Sequence, residues 1–435
     1  MGLIQNFDAL AVNDLRTDAL SIAEAGYAAI NIGAALKRTL VLGPEELRVD
    51  NVTYNLAGRK IFFVGVGKCA FSTAKEIEKL LGEKLTGGMA LDVFPSTEHS
   101  LKKIEMLVGT HPLPSEANVE AAKSIVEFLA DRTENDLVIM LISGGGSTLL
   151  CLPTAPMTFL DESALWNELT TKGATIQEMN TVRKHLSQAR GGALAKAAYP
   201  AEVISLIVSD VPGNDVRSIA SGPTVLDSST IADAKAVLEK YNIAASKNIE
   251  FIETPKEQKY FERVANVLFL TSHSALDAMR EDAEKRGYAV EIVNDHFSGE
   301  AREIGRAVVE KLRAMGADTV LLSAGESTVT LSQNAGTGLP AQAGGRNQEM
   351  ALAALADIRD GELLLPFASD GHDNTDHAGA IADTTTRAHA TAQQLSIEEY
   401  LAEHRSFDFF TTVGDALVTG YTDSNVSDLI IALKK

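Results

Sequence analysis

Short apolar runs alternate with amphipathic stretches along most of this chain, and that rhythm constrains the fold more than any other feature. "KIFFVG", "GGMALDVF", "EMLVGT", "DLVIMLIS" and "EVISLIVSD" are strand-like, and stretches such as "STAKEIEKLLG" and "SEANVEAAKSIVEFLA" between them carry helical periodicity. Strands apolar throughout, separated by amphipathic helices, predict a parallel sheet covered on both faces. The alternation restarts after about residue 240 with "VANVLFLT", "YAVEIVN", "ADTVLLSAG", "ELLLPFASDG" and "ALVTG". Residues 8–40 predict one or two helices, and "YNIAASKNIEFIETPKEQKYFERV" has the weak periodicity of a connector. With 435 residues, too many for one ordinary core, the expectation is two α/β domains, 1–240 and 241–435. Both should hold mostly parallel sheets covered by helices.

The formal charge of −20 disfavours nucleic acid and anionic membrane as partners. No apolar run approaches the ~18–20 residues of a spanning helix, and the first residues do not resemble a secretory signal. Cys69 and Cys151 stand apart, with no disulfide framework or metal-type spacing, so a reducing, cytoplasmic setting is expected. In so acidic a chain, an anionic substrate requires basic residues concentrated at its site.

Polar, glycine-rich segments fall where strands end, the edge at which open α/β sheets bind ligands. "VGVGKCAFSTA" contains Gly65, Gly67 and Ala70 at dinucleotide-loop spacing, with Lys68 inside and Asp92 as a ribose-holding acid at roughly the required distance. A nucleotide phosphate loop of the Walker type is excluded, because Phe62 stands where its first glycine belongs. Ser143-Gly144-Gly145-Gly146-Ser147 follows a strand, and its backbone amides suit an oxyanion. The most basic stretch is 178–200, with Arg183, Lys184, His185, Arg190 and Lys196, and Asn180, Arg183 and Ser187 would share a helical face. Beside it come Asp210, able to hold a cation or take a proton, and a small polar turn of Ser221, Gly222 and Thr224.

The second half repeats this pattern with Glu326 after a strand, Arg346 and Asn347 at a helix start, and Asp370, Asp373 and Asp376 at another strand end. Arg346 opposes the helix dipole, which suggests an anion facing it, and strand-end acids suit magnesium as well as they suit ordinary turns. A dehydrogenase needs one dinucleotide loop and one acid–base group. Many polar loops around three basic anchors, Lys68, Arg183 and Arg346, fit phosphoryl transfer better, because its catalysis is mostly positioning and charge stabilisation.

"VGVGKCAFSTA", "ISGGGSTLL", "MNTVRKHLSQARGGALA", "LIVSDVPGND", "IASGPTV", "SAGESTV", "GGRNQEMAL" and "SDGHDNTDHAGA" occur in the order seen in glycerate 2-kinases, and nearly the whole chain resembles that family. The resemblance implies a Rossmann-like N-terminal glycerate-kinase domain, a C-terminal MOFRL-type domain and an active cleft between them. It further implies transfer of phosphate from ATP, with Mg2+, to the 2-hydroxyl of D-glycerate. Lys68 and Arg346 would be the essential cations and Asp210 would position the hydroxyl or hold metal, with Glu326 and Asp370 as further metal ligands. Ser143, Gly144, Gly145, Gly146, Ser147, Ser221, Gly222, Thr224 and Asn347 would bind phosphate or nucleotide, and Gly67, Arg183 and Lys184 the acid. The expected partners are small molecules, D-glycerate and ATP, and at most a second copy of the chain. Departures from the family pattern are Ala324 in "SAGES", and Tyr421, Ser424 and Ser427 in "TGYTDSNVSDL". They leave room for a related hydroxy acid or sugar acid as acceptor, and the loop at Lys68 leaves hydroxypyruvate reduction as a further alternative.

Overall fold

A computed structural model describes residues 2–93, 101–209, 211–243, 249–330 and 344–435. The chain divides into two compact units, Ala35–Leu270 and a discontinuous one made of Met1–Ala34 with Thr271–Lys435.

The continuous unit opens with an antiparallel meander, β1 (Leu40–Leu42), β2 (Glu46–Val49) and β3 (Val52–Asn55). Its main sheet contains β4 (Lys60–Val66), β5 (Leu85–Asp92), β6 (Ile104–Val108), β7 (Asp136–Ile142), β8 (Glu202–Val208) and β9 (Val264–Leu270). They lie in the order β6-β5-β4-β7-β8-β9, and every pairing is parallel. β7 is buried along its whole length, which is why "DLVIMLI" shows no polar alternation. The order steps outward from β4 one way and from β7 the other. Connections leaving these two strands therefore diverge, and ligands of such sheets bind where they part. The segments leaving β4 and β7 carry Gly67-Lys68 and Ser143–Ser147.

The discontinuous unit holds β10 (Ala289–Glu300), β11 (Thr319–Thr328), β12 (Glu362–Ala368), β13 (Gly379–Ala380), β14 (Ala382–Asp383), β15 (Ala416–Leu417) and β16 (Asp428–Lys434). β10 and β11 are parallel, and β16 lies antiparallel between β11 and β12, so β10, β11 and β12 share a direction. The helix Arg346–Leu355 is buried from Asn347 to its end against the core formed with Leu321, Leu364, Ile430 and Phe409.

These units replace the expected division at residue 240. "VANVLFLT" supplies β9, which completes the first sheet by pairing with β8 and does not open the second. The segment expected to connect domains is instead held to the unit containing β9, with Ile252 N donating to His185 O at 2.8 Å. The predicted N-terminal helical region forms Asp14–Ile30 and Ile32–Thr39, and the first packs in the C-terminal unit. Arg16, fully buried, is bound there by Asp383 at 2.7 Å and Asp415 at 2.6 Å. β16, "DLIIALK", is central to its sheet and escaped the strand pattern. No single helix among the described residues is long and apolar enough to cross a membrane.

Candidate active site

In the continuous unit, the segments leaving β4 and β7 are interlocked. Ser143 N donates to Val66 O at 2.9 Å, Lys68 N to Gly144 O at 3.0 Å, and Gly67 N to Leu91 O at 3.1 Å. Gly67 has φ +119°, and a β-carbon there would lie 2.1 Å from Ser143 Oγ and 2.7 Å from Ser143 O. Only glycine allows that approach. Gly145 is left-handed at φ +82°, and a β-carbon on it would lie 3.4 Å from Lys68 Cγ, so the lysine stem crosses the glycine loop. A cation laid over a close-packed glycine turn at the carboxyl edge of a parallel sheet is suited to a phosphate or carboxylate.

Asp92, the acid a dinucleotide reading requires, is buried and accepts from Phe71 N at 3.1 Å and from Val93 N at 2.6 Å. Its carboxylate therefore sits on the first turn of the helix Ala70–Leu81, where a bound pyrophosphate would need the backbone amides.

Behind the loops lies the helix Ile176–Lys184, started by a capping box in which Thr175 and Glu178 bond each other's backbone amides. Arg183, in its last turn, stacks on Trp166 with the guanidinium carbon 3.4 Å from the ring centroid. Arg190 takes both oxygens of buried Glu162, at 2.9 and 3.1 Å, while Arg183 stays 3.7 Å away with its Nε lacking a hydrogen-bond partner. Two guanidiniums thus share one carboxylate. Burial, then the charge of Arg190, lower the Arg183 pKa to about 9 against the opposing pull of Glu162. Burial would raise the pKa of Glu162, but Arg190 and Arg183 outweigh it and hold it below its usual range. A second anion beside Arg183 would relieve the imbalance.

Ser147 Oγ and Ser221 Oγ are 2.9 Å apart, and Ser221 Oγ donates to Asn180 Oδ1 at 2.9 Å. This chain ties the β7 loop to the helix one turn before Arg183. Ala220 and Ser221 hold the left-handed conformation, with φ +49° and +59°, a strain that non-glycine residues keep only where surroundings enforce it. Ser187 lies beyond the helix end and bridges Pro153 instead of sharing a face with Arg183. Lys184 is 3.3 Å from buried Asp227, and Thr224 bonds Ser205 and Asn266 at 3.1 and 2.7 Å. Both are committed to internal contacts, unlike the ligand roles expected of them. Gly222 follows Ser221 in the same turn with φ +59°, its N–H donating to Ile219 O at 2.8 Å. Asp210 lies outside the described residues.

In the discontinuous unit Arg346 occupies the first position of its helix, as expected. Its guanidinium meets Glu326 and, at 3.2 Å, Asp428 Oδ2. Asp373 accepts from Asn347 N at 3.0 Å and Gln348 N at 2.8 Å, so a protein carboxylate already caps this helix. Burial, together with the charge of Asp373, lifts the Asp428 pKa to about 7 even though Arg346 pulls it down, and burial likewise raises Asp373. The anion that Arg346 was expected to face thus includes the protein's own acids. Asp370 Oδ1 accepts from His372 N at 3.0 Å, and among the described residues no three acidic, histidine or cysteine side chains cluster in a way that could hold a metal. Glu162, Trp166 and Asp428 were missed as site residues. Nothing in local spacing marks them, because each becomes relevant through a partner distant in sequence.

Two family profiles match the chain: "Domain of unknown function (DUF4147)" over residues 18–252 and the MOFRL family over 319–428. A D-glycerate 2-kinase of Thermotoga maritima is 35% identical over 86% of this chain and 90% of its own length. A glycerate 2-kinase of Pyrococcus horikoshii is 33% identical over 97% of both chains. The crystal structure of a Thermotoga maritima glycerate kinase superposes with a TM-score of 0.83 at 32% identity, covering 96% of this chain and 99% of that one.

Proposed function

Because the chain belongs to the glycerate kinase family, we propose that it transfers the γ-phosphoryl group of ATP to the 2-hydroxyl of D-glycerate, giving 2-phospho-D-glycerate and ADP. The hydroxyl oxygen forms a bond to the γ-phosphorus, the bond from that phosphorus to the β,γ-bridging oxygen breaks with its electron pair leaving on ADP, and the hydroxyl proton is released to water. The observation that carries this reading is the interlock of the Gly67-Lys68 and Ser143–Ser147 segments, with the lysine stem over Gly145.

Lys68 and the Ser143–Ser147 backbone would hold the phosphate being transferred, and Arg346 would be the second essential cation of the reaction. Arg183, buried and short of an anion, would take the glycerate carboxylate. The Ser147–Ser221–Asn180 chain would keep that arginine in register with the loop. Mg2+ takes most of its ligands from substrate phosphates and water, with one or two protein carboxylates. Glu326, largely exposed, and Asp370 are the described residues that fit such a limited role, and Asp210 is a further candidate. When bound, the ion would neutralise phosphate charge. The net charge of −20 would repel nucleic acid, and against that background the small anionic substrates would be held by the local cations of the site.

The test is a coupled assay with D-glycerate, ATP and Mg2+, run beside a panel of small hydroxy acids and sugar acids. Turnover of D-glycerate should fall by about 100-fold or more in Lys68→Ala and in Arg346→Ala, as for loss of a transition-state charge contact. Full activity in both variants, or NADH oxidation by hydroxypyruvate in place of kinase turnover, would refute the assignment.

A further inference from the structure

We propose that His111 is a further residue of the ligand site: its imidazole hydrogen-bonds the anionic group that Lys68 holds, and gains a proton as that group arrives. The choice of ligands rests on the phosphoryl-transfer reading. The geometry does not.

His111 lies in the segment that follows β6. A β-carbon on Gly145 would be 3.5 Å from His111 Cδ2 and 3.4 Å from Lys68 Cγ, so ring and lysine stem pack on the same glycine. The segment is held firmly on both sides of the histidine. Asn118, fully buried, accepts from Thr110 N at 2.9 Å and Ser115 N at 3.1 Å, and donates to Thr110 O at 3.0 Å and Thr148 O at 3.1 Å. Thr148 Oγ1 in turn donates to Pro112 O at 3.3 Å. The residues before and after His111 are thereby tied to the helices Glu116–Ala130 and Gly146–Leu149. The histidine itself keeps an exposed face and contributes nothing to the core. Rigid backbone presenting an exposed polar ring to a glycine loop is the arrangement of a ligand contact.

The electrostatics point the same way. Partial burial, then the charge of Lys68, depress the His111 pKa to about 4, so the ring is neutral at pH 7 without ligand. Among the described residues, the other packed elements bring no competing charge. Ser143–Ser147 and Gly146–Leu149 contain no ionisable side chain, and Glu116, at the start of the next helix, is exposed. An incoming phosphate or carboxylate offsets the charge of Lys68 and so raises the His111 pKa towards imidazolium, against the burial that still lowers it, adding a donor to the one from Lys68.

The full-length protein is labelled with 13C at the histidine rings, and the His111 signal is assigned by its loss in His111→Asn. ATP, ADP and D-glycerate are then added separately at pH 7. The signal should start at the neutral position and move towards imidazolium with the ligand that supplies the anion. Response to the nucleotides identifies a phosphate, and response to D-glycerate alone identifies the carboxylate. His111→Ala should raise KM for that same ligand by about tenfold, the usual weight of a charged hydrogen bond, with unchanged circular dichroism and partial recovery in His111→Asn. A signal unmoved by all three ligands at saturation, or unchanged KM values in His111→Ala, overturns the inference. If the wild type still turns over D-glycerate, the kinase reading survives that result. A moving signal without turnover would sink the kinase reading and leave the contact standing.

Discussion

Replacing Gly67 with alanine should separate two costs that the structure makes distinct. The backbone at φ +119° is strained for any L-residue, a penalty of about 1–2 kcal/mol by analogy with left-handed helical conformations. The new methyl also meets Ser143, whose Oγ at 2.1 Å can rotate away but whose carbonyl oxygen at 2.7 Å is backbone. Relaxing that contact from 2.7 Å to an ordinary 3.4 Å moves the β4 and β7 segments apart by 0.7 Å. That opening weakens the bonds from Lys68 N to Gly144 O and from Ser143 N to Val66 O, worth about 1 kcal/mol each. The expected destabilisation is about 3–4 kcal/mol by urea unfolding. A displacement of this order at reacting groups costs about 100-fold in kcat/KM. Gly58→Ala is the control, since Gly58 has φ +70° with nothing within 4 Å of its β-carbon position. It should lose only about 1 kcal/mol and no activity. If Gly67→Ala matches Gly58→Ala in stability and keeps kcat/KM within about twofold, the interlock of the two segments is not what builds the site.

Arg16→Met leaves Asp383 and Asp415 buried without their cation and should cost about 3–5 kcal/mol at pH 7 in urea titrations. Arg16 overcomes the burial that would raise the Asp383 pKa and holds it below the unfolded value. The stabilisation is therefore present above about pH 4 and lost as pH falls through the native pKa, so the defect should shrink in acid. Asp428 behaves in the opposite sense. Its native pKa near 7 lies above the unfolded value, so its contribution is most favourable below about pH 4 and declines as pH rises to 7. Asp428→Asn should accordingly gain stability relative to wild type across that range, and a parallel pH dependence of the two proteins would contradict the buried-acid assignment. Arg183→Lys should raise KM for D-glycerate about tenfold and leave KM for ATP within about twofold, because a lysine can neither stack on Trp166 nor present a planar fork.

The parallel sheet was legible because its strands are buried on both faces and therefore apolar throughout, and all five expected strands from Lys60 to Val208 form. The glycine loops were legible for a related reason: Gly67 and Gly145 occupy conformations and contacts that other residues resist. Lys68 and Arg346 stood out as basic residues inside such segments. Lys184 and Thr224 looked equally available, but their partners Asp227, Ser205 and Asn266 come from other parts of the chain and absorb them. The pairing of Arg190 with Glu162, which leaves Arg183 short of an anion, was invisible for the same reason.

Local order thus came from the amino-acid sequence itself: where strands and helices lie, which turns need glycine, and where basic side chains gather in an acidic chain. Only tertiary structure decided that β9 belongs to the first sheet, that β16 threads between β11 and β12, and that residues 1–34 join the C-terminal unit. It also decided which charged groups are neutralised and which are left short of a partner. The physical reason is range. Periodicity and backbone conformation act over a few neighbouring residues, whereas strand pairing, burial and the charge felt by a buried group depend on segments that folding brings together from hundreds of residues apart.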